Sequence, residues 1–134
     1  MGSPKKNDSK TTSRSVGLML AVSFFLLVLK TNMRLVKVEK STRPGKKWMA
    51  TFCDCKGGTK CAPSERRVVH FGASGYEDYT MHKDKERRRL YRIRHAKEEN
   101  QAADTPGALS FHILWGDSTS LDANIKAFKK KYAC

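Results

Sequence analysis

Three cysteines, Cys53, Cys55 and Cys61, fall within nine residues around a Gly57-Gly58 turn, and a fourth stands at position 134. Thiolate zinc sites are usually built from C-x₂₋₄-C pairs. Cys53-x-Cys55 is tighter than that, and only one such pair is present. Zinc would need Cys61 together with a distant ligand such as His70, His82 or Cys134. A disulfide from Cys61 to Cys53 or to Cys55, clipping the loop between two strands, is equally compatible, as is a hairpin loop with free thiols. The histidines His70, His82, His95 and His112 are scattered. No H-E-x-x-H, G-x-S-x-G or Walker loop occurs. Glu77, Asp78 and Asp84 are placed as loop and cap residues rather than as an acid/base pair. No catalytic residue, no cofactor beyond that zinc alternative and no small-molecule substrate is expected, and an enzyme is the class least favoured.

The second chemical feature is charge. The chain of 134 residues carries 27 Lys and Arg against 13 Asp and Glu, a formal net charge of +14. Arg87, Arg88, Arg89, Arg92 and Arg94 crowd one stretch near Tyr76, Tyr79 and Tyr91. Basic residues with interleaved aromatics match the footprint of a phosphate-binding surface. No base-reading motif accompanies them, so nucleic acid would be held by its backbone. The same arginines suit an acidic protein surface or anionic lipid headgroups.

The third feature says where that charge is held. Val16 to Leu29 reads VGLMLAVSFFLLVL, with Arg14 and Lys30 as its brackets and no charge between them. As helix, 15–29 spans about 22 Å, against a hydrocarbon core of about 30 Å. Continuing through Met33, with Lys30 snorkelling to the headgroups, recovers part of the difference. A basic segment precedes the run, as in a signal peptide, but LKTNMRLVK offers no small-residue cleavage pattern. An uncleaved anchor over 16–33 is therefore expected, with Val16, Leu20, Phe24, Phe25 and Leu29 among its lipid-facing residues. Lys and Arg lie on both flanks, slightly more on the C-terminal side, which weakly favours a cytoplasmic C-terminal domain.

The elements that must position these residues follow. Residues 1–15 form a basic tail, too polar to order itself. Residues 34–134 are enough for one small domain. Strands are expected over 35–39, 48–52 and 67–71, as a short antiparallel meander with one face covered. A helix is expected over 82–100, with Thr80 as N-cap and Leu90, Tyr91, Ile93 and Ala96 as its buried stripe. Ala108 to Trp115, behind Pro106, is a short helix stopped by Gly116. Ser120 caps a last helix over 121–132, with Leu121, Ile125, Phe128 and Tyr132 on one face and Lys126, Lys129, Lys130 and Lys131 complementing its dipole. The order, strands and then about three helices, is α+β.

The stretches RRVVHFGASGYEDYTMHKDKERRRLYRIRHAKEEN and PGALSFHILWGDSTSLDANIKAFKKKY resemble a family of small uncharacterised proteins of nucleocytoplasmic large DNA viruses. The shared pattern is V-H-F-G, then G-Y-x-D-F/Y-T-x-H-K-D, then an arginine-rich helix with Y-x-x-R-H. It runs here from Val69 through Gly75, Asp78, Thr80 and His82 to Tyr91, Arg94 and His95, with Trp48 in the preceding strand. The chain departs from that pattern at 109–115, where only Trp115 remains of two or more tryptophans. The cysteine loop and the apolar run are additions to it. The resemblance implies a small viral protein, with virion components among its relatives. A basic domain on a membrane anchor then suits a minor capsid protein that ties the capsid shell to an internal membrane. Capsid proteins and lipid are its expected partners, and nucleic acid is the alternative. It would reside at the virion's internal membrane, and at host membranes during assembly.

Overall fold

The computed structural model describes residues 33–57 and 61–134. Three strands come first: β1 (Met33–Lys40), β2 (Lys46–Asp54) and β3 (Arg66–Ala73), paired antiparallel in the order β1-β2-β3. The meander is the expected one, with longer strands. Ladder pairs set Leu35 opposite Phe52, Val38 opposite Ala50, Ala50 opposite Val69 and Trp48 opposite Phe71. A bulge between Leu35 and Lys37 absorbs Val36. Leu35 and Val38 thereby share a face although they are an odd number apart.

That face is covered by helices. After Gly75 the chain makes one turn of helix, α1 (Tyr79–His82), capped by the Asp78 carboxylate accepting from the Thr80 N–H. Lys83 takes a left-handed conformation, φ 59°, and breaks the helix. Asp84 caps α2 (Lys85–Arg94) by accepting from the N–H groups of Glu86 and Arg87. A 3₁₀ turn follows over Ala96–Asn100. The helix expected over 82–100 is therefore three pieces, and its caps are Asp78 and Asp84 rather than Thr80. Thr105 caps α3 (Pro106–Leu109), which widens into a π-turn over Ser110–Leu114. Ser120 caps α4 (Leu121–Lys131) as expected. The core joins Leu35, Ala50, Phe52, Val69 and Phe71 of the sheet to Leu109, Ile113, Leu114 and Phe128 of the helices. Fully burying a side chain of this size contributes about 1.5–3 kcal/mol.

Gly72 is required where β3 meets the π-turn. Its φ is +79°, and a Cβ there would stand 2.9 Å from Leu114 Cδ1. Only glycine combines that conformation with so close an approach.

Two expectations change here. Met33 opens β1, so it cannot close an anchor over 16–33. The α2 stripe is also different: Leu90 and Ile93 are exposed, as is Ala96. The tail 1–15 and the residues Val16, Leu20, Phe24, Phe25 and Leu29 lie outside the described residues. Among the described residues no helix is long and apolar enough to cross a membrane.

Candidate functional site

The arginine helix is turned inward by its arginines. Arg88 donates from Nε to the Gly116 carbonyl at 2.7 Å and from Nη2 to Asp117 at 2.7 Å. Arg92 donates to the Trp115 carbonyl at 2.8 Å, with its guanidinium 4.2 Å from the Phe111 ring centroid. Burial, and then the charge of Arg88, lower the Arg92 pKa from its ordinary value. The physical reason is the π-turn. Carbonyls at a helix C-terminus lack intrahelical partners, and leucine or isoleucine on the facing surface could not satisfy them. Arg88 and Arg92 can, and their aliphatic stems pack as they do so. Leu90 and Ile93 are thereby left outside. Arg87 pairs with Glu77 at 3.4 Å and Arg89 with Glu86, both on the surface. Arg94 is exposed. Of the five expected partner-binding arginines, two fasten the fold and two are neutralised by neighbours.

The residues of the G-Y-x-D-Y-T-x-H motif assemble beside that helix. Asp78, whose side chain is 3% exposed, accepts from Lys47 Nζ at 2.8 Å and holds the α1 cap. Tyr91 is sandwiched between His95 and Trp115, with ring centroids 4.1 and 4.2 Å away, and the His82 ring is tilted against Trp115 at 5.2 Å. Burial, aided by the Glu98 carboxylate, pushes the Tyr91 pKa up to about 12. His82 Nδ1 accepts from the Asp84 N–H at 2.9 Å. His95 lies 2.8 Å from Glu98, and His70 Nδ1 lies 2.7 Å from Ser41 Oγ. Each of these groups is tied to a neighbour that orders the fold.

The open surface lies at the end of the sheet where β1 leaves and β2 begins. A groove of about 650 Å³ runs between Lys40, Lys46 and Trp48 on one side and Tyr76, Thr80 and Met81 on the other. Tyr76 is 74% exposed and Met81 54% exposed. Lys40 and Lys46 have no carboxylate within ion-pair distance among the described residues. A second hollow of about 410 Å³ shares Lys47, Tyr76 and Asp78 with it, and reaches Tyr91 and Arg94.

The opposite end of the sheet is stapled. Cys53, fully buried, is bonded to Cys61, and Cys55 to Cys134, with Cα–Cα distances of 5.9 and 5.6 Å. The first bridge selects one of the open alternatives for Cys61. The second was not anticipated: Cys134 had figured only as a distant zinc ligand. Among the described residues no group of three or more His, Cys, Asp or Glu is disposed to hold a metal. The second bridge brings the end of α4 to the start of β1, because Cys55 follows Asp54, the ladder partner of Met33. Lys126, Lys129, Lys130 and Lys131 are exposed on α4. None has a carboxylate within ion-pair distance among the described residues. They are the available cations that the arginine run had overshadowed. The signal was their spacing, three in succession at the end of an amphipathic helix.

Residues 36–95 match a family of unknown function, DUF5754. The match begins within β1, takes in the rest of the meander, the G-Y-x-D-Y-T-x-H motif and the arginine helix, and ends before α3 and α4. No curated protein and no solved structure matches the chain.

Proposed function

We propose that this chain is a non-enzymatic, membrane-anchored structural protein of a virion, a minor capsid protein joining the capsid shell to an internal membrane. One observation carries the reading: the two ends of the sheet differ in kind. The end at Met33, where the chain arrives from the apolar run, is cross-linked and lysine-rich. The far end, about 26 Å away along an eight-residue strand, carries a groove with exposed Tyr76 and Met81. A linker needs two such ends. Aromatic residues and methionine are enriched in protein–protein interfaces, and Lys40 and Lys46 suit a shell segment that is apolar with acidic flanks. Disulfides persist on particles outside the reducing cytosol. The virion assignment itself rests on the motif's resemblance to small proteins of large DNA viruses. The non-enzymatic reading is supported by Asp78, His70, His82 and His95, each engaged in ordering the fold.

The test is a Tyr76→Glu/Met81→Glu variant of the full chain. Both side chains are mostly exposed, so folding is spared. Particles stripped of lipid by mild detergent are expected to retain the natural chain on the shell and to lose the variant. Equal retention removes the groove as the shell contact.

The lysines of α4, which have no carboxylate partner among the described residues, favour a second reading, backbone-directed nucleic-acid binding. It requires affinity for duplex DNA that falls steeply with salt. Lack of binding at low salt dismisses it.

A further inference from the structure

We infer that the C-terminal half of α4 is a headgroup-binding surface, on which Lys126, Lys129 and Lys130 hold anionic lipid phosphates. This inference rests on the anchor reading of the apolar run. The placement is a matter of covalent geometry. Met33 is the fourth residue after Leu29, so the chain can span no more than about 14 Å between them. Whatever the run's orientation, Met33 must lie close to the headgroups if Leu29 lies in lipid. Met33 pairs with Asp54, Cys55 comes next, and Cys55 is bonded to Cys134. Lys130 is four residues from Cys134 on the last turn of α4. The bridge thus confines the lysine-bearing helix end to the membrane side of the domain.

Charge agrees with position. The three lysines are exposed and unpaired among the described residues, whereas the arginines of α2 are mostly consumed within the fold. Asp122 is the one acidic residue of α4; it stands one turn before Lys126, beyond ion-pair distance, and about two turns before Lys129 and Lys130. A lysine held within a Debye length of an anionic surface gains about a fivefold preference for it over a neutral one, and this preference is screened by salt. Shell protein is not the occupant favoured here, because the chain's own entry point lies at this end. Nucleic acid is the competing occupant.

The experiment uses the full chain in nanodiscs of phosphatidylcholine alone or mixed with phosphatidylglycerol. Lysines are acylated briefly with a neutral, water-soluble reagent and quantified by peptide mass spectrometry. Labelling of Lys126, Lys129 and Lys130 is expected to fall about fivefold on the anionic discs and to recover at high salt. Lys40 and Lys46, at the far end of the sheet, serve as controls and should not change. Equal labelling of the α4 lysines on both discs overturns the inference. So does protection by duplex DNA without protection by anionic lipid, which would assign the surface to nucleic acid. Alkaline extraction of the same chain from vesicles separates the two failures. Release into the supernatant refutes the anchor, whereas retention with unchanged labelling refutes the headgroup surface alone.

Discussion

Removing the Cys55–Cys134 bridge should cost the domain far more than removing Cys53–Cys61. Loop length sets the difference. The first closes a sequence separation of 79 residues and the second a separation of 8. Chain-entropy estimates then give about 4.5 kcal/mol for the long loop and about 2.5 kcal/mol for the short one. A domain of this size has about 5–15 kcal/mol of stability in all, so Cys55→Ser/Cys134→Ser should stand near its unfolding limit while Cys53→Ser/Cys61→Ser keeps a margin. The assay is urea unfolding of the full chain in detergent micelles, followed by the fluorescence of Trp48 and Trp115, after intact mass has established that no thiol is free in the parent. A loss below about 1 kcal/mol for the long bridge, or the reverse ranking, would refute the stapled geometry and with it the placement of α4 beside Met33.

Four further outcomes follow from the same structure. Arg92→Ala should cost about 1.5–3 kcal/mol for a charged donor to a carbonyl, whereas Arg94→Ala should leave the urea midpoint unchanged. Asp78→Ala breaks a buried ion pair and should cost about 3–5 kcal/mol; Ser120→Ala removes only a cap and should cost about 1 kcal/mol. Gly72→Ala should destabilise more than Gly45→Ala, because both have positive φ but only Gly72 stands against Leu114; the two unfolding midpoints decide it. Burial holds the His112 pKa below its ordinary value, so the native state favours the neutral ring. That stability is complete above the unfolded-state pKa of about 6.5 and is lost as pH falls below it, because the unfolded chain binds the proton first. His112→Gln should flatten the fall in the unfolding midpoint on acidification, and an unchanged slope would remove His112 as its source.

Much of the scaffold is legible in the sequence because it follows from period and caps. Alternation marks β1, strand-forming residues behind the Arg43-Pro44-Gly45 turn mark β2, Pro106 and Ser120 mark helix starts, and the Leu121-Ile125-Phe128-Tyr132 spacing marks the buried face of α4. The arginine helix is misread for a definite reason. Apolar periodicity puts Leu90 and Ile93 inside, yet the carbonyls of Phe111, Trp115 and Gly116 need donors, and that need appears only once the π-turn is in place. The break at Lys83 has the same character, since a left-handed lysine carries no local signature. The Cys55–Cys134 bridge could not come from spacing, because four cysteines allow three pairings. The open groove was also missed: Lys40, Lys46, Tyr76 and Met81 are far apart in sequence, and only the meander brings them together.

Alkaline carbonate extraction of purified particles tests the membrane-linked reading most directly. The full-length chain should remain in the membrane pellet after disulfides are preserved and shell proteins are released. Its recovery in the supernatant would mean that Val16 to Leu29 does not anchor it, and the linker role would fall.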